Sequence, residues 1–471
     1  MNFSPQLDSN QVFGTVGKAA DRLGVECYVV GGYVRDLILK RPSMDVDFVC
    51  VGSGIALAQE VAKSLGGLRV TIFKNFGTAR IDWEGYALEF VGARKESYRE
   101  DSRKPLVEDG TLEDDQNRRD FTINAMAIAL NAAQWGNLID PFDGLNDIRK
   151  KTIKTPLAPS ITFSDDPLRM MRAIRFAAQL NFDIEAATFE AIGSNAARLK
   201  IVSMERVIDE LNKIILTPTP SYGFKLLFHS GLLKEFFPEM VELHGVENID
   251  NKGHKDNFYH TLQVLDNTAK TSEDLWLRWA AILHDIAKPA TKRFDKEHGW
   301  TFHGHEDKGA RMVPRIFRRL KLPLDDRMLF VQKLVRLHLR PIALAKAVTD
   351  SAVRRLLFEA GADTEALMLL CRADVTSKND EKVAKYLRNF DLVEERMGAV
   401  EEKDKVRNFQ PPIKGDEIIQ LFNIPPGPIV GEIKEQIKDA ILDGEIENDR
   451  EQAYGLMLKI AEKKGLEKIN K

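Results

Sequence analysis

Gly31-Gly32-Tyr33-Val34-Arg35-Asp36 closes the apolar stretch Tyr28-Val29-Val30, and nine residues later comes Asp45-Val46-Asp47, backed by Phe48-Val49-Cys50-Val51. The apolar stretch reads as a buried strand, and Arg35-Asp36 as a helix start. On a strand, residues i and i+2 point to the same side, so Asp45 and Asp47 share a face. Two carboxylates side by side make a poor core and a good seat for a hard divalent cation. Mg²⁺ fits best, because it keeps water and substrate phosphates in its remaining positions. The chemistry this set suits is metal-assisted nucleotidyl transfer. Taken singly, Gly-Gly is a common turn and Asp-x-Asp a solvated strand end. Their order and spacing carry the reading.

A second element is Arg118-Arg119-Asp120-Phe121-Thr122-Ile123-Asn124-Ala125-Met126-Ala127. It is expected to open a helix with Phe121, Ile123 and Met126 on its buried face. The planar fork of arginine suits phosphate, and Asn124, one turn after Asp120, would reach a ribose hydroxyl. A third element is Asp165-Asp166-Pro167-Leu168-Arg169-Met170-Met171-Arg172-Ala173-Ile174-Arg175-Phe176. Asp166 is a good N-cap and Pro167 a good first helical residue. Arg169, Arg172 and Arg175 form a stripe that calls for anions or carboxylates. Asp166 lies one turn from Arg169, and that pair would keep hydrogen-bonding groups for the edge of a base. A salt-bridged surface helix is the plain alternative.

The rest of the chain must position these groups. Its 471 residues allow two to four domains. Hydrophobic residues make up 44% and charged residues 30%, as in a soluble globular protein. A net charge of −3 leaves nucleic-acid binding to a local patch. Cys27, Cys50 and Cys371 are far apart, and buried free thiols are expected. The start, Met1-Asn2-Phe3-Ser4-Pro5, lacks the pattern of a signal peptide, and no apolar run reaches the ~20 residues of a membrane span. A cytoplasmic protein is expected.

Up to about residue 150, β-rich runs (Cys27–Val30, Asp47–Val51, Arg69–Phe73, Thr78–Trp83, Tyr86–Val91) mix with helices such as Ile55–Leu65. After Pro156 a 3.6-residue period takes over, as in Pro167–Gln179, Met204–Leu216 and Leu275–Leu283, so the remainder should be all-helical. The charged stretch Lys95–Asn117 buries little apolar surface. It reads as a solvated loop beside the site, a lever or lid.

Together the three elements resemble the motifs of the class II nucleotidyltransferases that add CCA to tRNA 3′ ends, a family that includes bacterial poly(A) polymerases. Asp140-Pro141-Phe142-Asp143-Gly144 is similar to the family's structural turn. The resemblance is strong over about residues 20–240. It implies an α+β, polymerase β-like nucleotidyltransferase head with a mixed sheet, followed by all-α neck, HD and tail domains. Asp45 and Asp47 would hold Mg²⁺, with Glu89 as a third catalytic carboxylate. Gly32 and Arg35 would contact the triphosphate of CTP or ATP, with Arg118 or Arg119 adding charge. Asp166 and Arg169 would act as a protein template for the base, and Arg172 and Arg175 would brace that template or bind phosphate. The partner would be tRNA. Related poly(A) polymerases carry a Gly-Arg-Arg/Lys-Phe segment where this chain has Lys74-Asn75-Phe76-Gly77-Thr78-Ala79-Arg80, which favours CCA addition. The complete-looking Lys95–Asn117 stretch favours full CCA over CC alone. Poly(A) addition and CC- or A-adding specialists remain as alternatives.

Farther on stand His260, His284-Asp285, His305, His338 and Asp374, which are metal-ligand material. The order is similar to that of the HD metal-dependent phosphohydrolases. It implies a second site that takes a divalent transition metal or Mg²⁺ and hydrolyses phosphoesters. Metal held for stability alone, or a metal-free scaffold for tRNA, are the competing readings. His254, His298 and His303 are expected to face solvent. Arg315–Lys346 carries nine basic and two acidic residues, either a solvated face or an RNA footprint. The expected parts are a head (1–155), a neck (156–245), an HD domain (246–400) and a helical tail (401–471). From a different class, the rival is an HD phosphohydrolase whose head only binds RNA.

Overall fold

Cys27–Val30 (β1) is buried at every residue and stands inside a seven-stranded sheet of a computed structural model. The model describes residues 1–74, 77–99, 102–249, 252–344, 349–377, 379–404 and 410–469. They form two units, Met1–Val241 and Glu242–Lys471. In the first unit, β1 pairs antiparallel with Asp45–Cys50 (β2) and with Ala127–Ala129 (β8). Beyond β2 come Tyr86–Gly92 (β5), Thr78–Trp83 (β4) and Thr71–Phe73 (β3), and beyond β8 lies Leu138–Ile139 (β9). The β2–β5 pair is parallel and the others antiparallel, so the sheet is mixed as expected.

One face of the sheet is closed by the amphipathic helices Gln11–Leu23 and Gly54–Ser64, which pack on each other. Phe48 and Phe90 stack between them at 4.9 Å between ring centroids, an arrangement worth ~1 kcal/mol beyond area burial. Cys27, Cys50 and Cys371 are all buried and free.

Two segments differ from the sequence reading. The expected loop Lys95–Asn117 is an antiparallel ladder of Arg94–Arg99 (β6) with Ser102–Asp109 (β7), followed by the helix Leu112–Asn117. A two-stranded ladder satisfies its own backbone without needing an apolar face. The helix is started by a capping box: Asp114 N–H donates to Thr111 Oγ1 at 3.2 Å and Thr111 N–H donates to Asp114 Oδ2 at 2.9 Å. The expected helix after Asp120 is also absent. Phe121 is extended (φ −136°, ψ 151°), Thr122–Asn124 makes a single 3-10 turn, and Ala127–Ala129 enters the sheet. Phe121, Ile123, Met126 and all of β8 are buried; a segment apolar on every side has no period to separate helix from strand.

The Asp140–Gly144 turn fixes this segment from below. Asp140 accepts from the N–H groups of Gly144 and Leu145 at 2.8 and 2.9 Å. A Cβ on Gly144 would meet the Thr122 carbonyl oxygen at 2.4 Å, so only glycine admits this approach. Helices then dominate, among them Leu168–Leu180, Met204–Ile215 and Pro220–His229. Thr217-Pro218-Thr219 falls in the break before the last of these.

Among the described residues, the second unit is helical apart from the short pairs Asn248–Ile249 with Lys252–Gly253 and Arg293–Asp295 with Gly299–Thr301. Its core gathers Phe258, Trp279 and Phe317 from the helices Asn257–Thr271, Leu275–Leu283 and His305–Arg319. In the C-terminal part, Pro428–Asp443 packs on Asp350–Ala360, where Arg355 bridges to Asp439 and Asp443 at 3.0 and 2.7 Å. The basic run 315–346 is partly neutralised: Arg327 pairs with Asp325, Lys333 with Asp363 and Arg336 with Glu359. Lys346, like Asn75 and Phe76, lies outside the described residues.

Candidate functional site

Asp45 and Asp47 lie on the same side of β2, and the parallel register sets Glu89 of β5 beside Asp47. Asp47 is half-buried, and burial raises its pKa. Arg119 lowers it, whereas Glu89, Asp45 and Asp115 raise it further. Three crowded carboxylates face Arg119 and, on the Glu89 side, Arg80 at 4.0 Å, and are short of positive charge. Gly31 makes the close approach possible. It sits at φ +75°, and a Cβ there would lie 2.9 Å from Arg119 Nη1 and 3.4 Å from Asp47 Oδ2.

Arg118 and Arg119 are both held by Asp115, which is fully buried. Each Nε donates to one carboxylate oxygen at 3.0 Å. Burial alone would raise the Asp115 pKa, but the two guanidiniums outweigh it and the group stays lowered. Asp115 was missed in the sequence because its segment read as a solvated loop. Its signal was there: a Thr-x-x-Asp cap with arginines at i+3 and i+4.

A polar chain runs inward from the glycine turn. Arg35 is buried, pairs with Asp36 at 2.8 Å, and donates from Nη1 to Asn124 Oδ1 at 2.8 Å. Asn124 Nδ2 donates to Asp120 Oδ1 at 3.1 Å, and Arg172 Nε donates to Asp120 Oδ2 at 2.8 Å. The Asn124 amide is thus engaged between Arg35 and Asp120 rather than presented outward. Burial pushes the Asp120 pKa up, but the Arg172 charge, the bonds from Asn124 and Arg172, and the Arg169 charge bring it down to about 2. Arg169 donates to the backbone carbonyls of Thr162 and Arg118. Asp166 accepts from Leu168 N–H at 3.2 Å.

One cavity of about 380 Å³ joins the two ends. Its walls include Asp47 and Glu89, then Arg118 and Arg119, then Asp166, Arg169 and Arg172. Asp120 of the second sequence element also lines it, as do Arg94 and Arg206, which were not singled out in the sequence. Asp45, Gly32, Arg35, Asn124 and Arg175 are not on its wall; Arg35, Asn124 and Arg175 instead hold other groups in place.

The second unit brings all six expected metal-ligand residues together. Each histidine is fixed through Nδ1: His284 to the Ala281 carbonyl, His305 to Phe302 and His338 to Val335, all at 2.7 Å, and His260 to Thr376 Oγ1 at 2.8 Å. This leaves every Nε2 directed at Asp285 or Asp374. His260 and His284 approach Asp285 Oδ2 at 3.4 and 3.2 Å, and His305 and His338 approach Oδ1 at 3.2 and 3.9 Å. Asp374 Oδ1 lies 3.0 Å from His260. The buried Nε2 atoms of His284, His305 and His338 have no hydrogen-bond partner. Orphaned buried nitrogens around a shared carboxylate fit metal ligation, and two donor groups meet the spacing: His260–His284–Asp285 and Asp285–His305–His338. Lys288 Nζ rests 2.6 Å from Asp285. His298 is exposed and pairs only with the neighbouring Asp295.

A mixed sheet with paired carboxylates on adjacent strands, facing an arginine-lined cavity, defines a nucleotidyltransferase-type head. Profile matches agree: the poly A polymerase head domain matches residues 27–154, the "probable RNA and SrmB-binding site of polymerase A" 181–243, and the HD domain 257–379. The A-adding tRNA nucleotidyltransferase of Deinococcus radiodurans is 31% identical over 90% of this chain and 93% of its own. The CCA-adding enzyme of Geobacillus thermodenitrificans is 30% identical over 95% and 96%. A solved tRNA nucleotidyltransferase with a primer tRNA and an incoming ATP analogue covers 81% of this chain and 98% of its own. It is 26% identical, with a TM-score of 0.56. The chain belongs to the tRNA nucleotidyltransferase family and carries an HD domain. No helix among the described residues is long and apolar enough to cross a membrane.

Proposed function

We propose that this protein adds C, C and A to the 3′ end of tRNA, from CTP and ATP, in the cytoplasm. The observation that carries the proposal is the single cavity running from Asp47 and Glu89 to Asp166 and Arg169. It has a cation-seeking end, a basic middle suited to a triphosphate and a polar end suited to a base edge. The tRNA 3′-hydroxyl attacks the α-phosphate of the nucleotide, a new phosphodiester forms, and pyrophosphate leaves. Divalent cations, Mg²⁺ by the hardness of the oxygen donors, would be held by Asp45 and Asp47 with Glu89 and would supply charge at the reacting oxygens. Arg118 and Arg119, braced on Asp115, bind the triphosphate. Asp166 and Arg169 present hydrogen-bonding groups to the base. The work is positioning and electrostatic stabilisation. The division into head, neck, HD domain and tail serves this: the first two parts make the nucleotide site, and the others carry the second centre and RNA contacts.

The test is incorporation of CTP and ATP, separately and together, into tRNA lacking its CCA, read at nucleotide resolution. Ordered C, C, A that then stops supports the proposal. Addition of A alone, only to tRNA already ending in CC, favours the second reading, an A-adding specialist, to which the Deinococcus relative's name points. For the HD centre we propose hydrolysis of phosphoesters with a divalent transition metal or Mg²⁺. Release of phosphate or opening of a 2′,3′-cyclic phosphate, abolished by His284→Ala, is its assay.

A further inference from the structure

Arg172 lies between two carboxylates. Asp120 holds its Nε and Nη2 at 2.8 and 2.7 Å, and Glu210 approaches its Nη1 at 3.9 Å. Glu210 comes from the helix Met204–Ile215, packed against the neck helix Leu168–Leu180. It is itself buried, and its main ion pair is with Arg175 Nε at 2.8 Å. A buried carboxylate among the apolar residues Val207, Ile208, Leu211 and Ile214 costs free energy unless its charge is matched.

The arginines need it equally. Arg35, Arg172 and Arg175 all lie over the Phe176 ring, their guanidinium carbons 5.0, 5.3 and 4.0 Å from its centroid. Three like charges on one ring repel, and burial with the charges of Arg172 and Arg35 lowers the Arg175 pKa, to about 10, against the pull of Glu210. Asp36 neutralises Arg35 and Asp120 neutralises Arg172. Glu210 is the counter-charge of Arg175, and its other oxygen stands between Lys213, at 3.5 Å, and the far edge of Arg172.

We propose that Glu210 is a positioning residue for nucleotide selection: it holds Arg175 against Phe176 and the outer edge of Arg172, and so fixes where Arg172 stands on the cavity wall beside the Asp166 carboxylate that meets the base. Without its charge, Asp120 is the nearest anion left to both guanidiniums, and Arg172, sharing it with Arg175, is freer to turn to Asp166, whose charge already acts on it, or to the nucleotide triphosphate. A guanidinium drawn to Asp166 takes the acceptor atoms that read the base. The inference rests on the proposed nucleotide site.

The test uses the full chain and tRNA ending in CC, with kcat and KM for ATP and for GTP in single-nucleotide addition. Glu210→Gln keeps the shape and removes the charge. The expected result is a rise of about tenfold in the ATP KM, with discrimination against GTP falling by a similar factor. Affinity for tRNA, measured by filter binding, should not change. Glu210→Asp keeps the charge at shorter reach and should restore most of the discrimination. If Glu210→Gln does not fold, Glu210→Asp alone should still show a smaller change in the same direction. Unchanged ATP/GTP discrimination, or a loss of kcat and tRNA binding together with no change in selectivity, overturns the inference. An absence of ATP addition by the unaltered protein would instead overturn the proposed function.

Discussion

Filling the HD centre with metal must expel a proton, and the geometry says from where. His284 is fully buried with Nδ1 on the Ala281 carbonyl and Nε2 3.2 and 3.6 Å from Asp285 and Asp374. Burial lowers its pKa, but the two carboxylates more than reverse this and lift it to about 10. His338 is the opposite case: burial and the neighbouring His284 charge push it down to about 4. In the metal-free protein at about pH 7.5, then, His284 is an imidazolium and His338 is neutral. A metal ligand must be deprotonated, and stripping His284 some 2.5 pH units below its pKa costs about 3 kcal/mol. Metal binding should release at least about one proton at that pH, and apparent affinity should climb about tenfold per pH unit between roughly 7 and 9. Titration calorimetry with Mn²⁺, in buffers of differing ionisation heat, measures the release directly. His284 also stabilises the metal-free fold fully below about pH 6.5, an advantage lost as the pH rises toward its folded-state pKa. The chelated protein should therefore melt lower as pH rises through that range. Metal binding with no proton release, and with affinity flat in pH, would refute the charge assignment.

Other perturbations separate the two centres and probe the nucleotide cavity. Asp45→Ala should abolish CTP and ATP incorporation while calorimetric metal binding at the HD centre persists, and His284→Ala should do the reverse; loss of both from one substitution would break the two-site account. Arg169→Ala should relax choice among CTP, ATP and UTP more than it weakens tRNA binding, since Arg169 lines the base end of the cavity; unchanged discrimination would count against the template role. Gly31→Ala forces an L-residue to φ +75° with a Cβ 2.9 Å from Arg119, which should cost ~1–2 kcal/mol in urea unfolding and raise the nucleotide KM. Asp120→Asn should lose ~2 kcal/mol near neutral pH, because the wild-type carboxyl titrates at about 2 in the fold. A pKa depressed in the fold gives stability that is present above the unfolded value and lost below it. The gap between the two proteins should therefore close as pH falls from about 4 to about 2.

Elements with a clear period or clear punctuation were legible. Thr78–Trp83 and Leu275–Leu283 have the bounds their patterns predict, and the i, i+2 spacing put Asp45 and Asp47 on one side. The segments that went astray lacked such a period. Ala125–Ala129 is apolar throughout, so helix and strand look alike until the sheet claims it. Lys95–Asn117 is rich in charge with little apolar patterning, and its strands are specified by backbone pairing, which composition does not record. Asp115 was hidden inside that misread stretch. Glu210 was hidden for another reason: a glutamate on a helix is ordinarily solvated, and only the packing of two neck helices turns it inward.

The motif residues also divide in a way their spacing conceals. Arg118, Arg119, Asp166, Arg169 and Arg172 line the cavity, whereas Arg35, Asn124 and Arg175 sit behind it. Arg35 and Asn124 form one continuous run with Asp36, Asp120 and Arg172: Asp36 to Arg35, Arg35 to Asn124, Asn124 to Asp120, Asp120 to Arg172. The run begins on the helix that follows the glycine turn and ends on the neck helix. Each link is a buried or half-buried charged or amide group that would be costly to leave unpaired, so the links hold or fail together. The placement of Arg172 therefore depends on residues next to the Gly31 turn. On the proposed reading, a nucleotide whose triphosphate settled beside that turn would act on a network that reaches Arg172, on the cavity wall with the groups proposed to read its base.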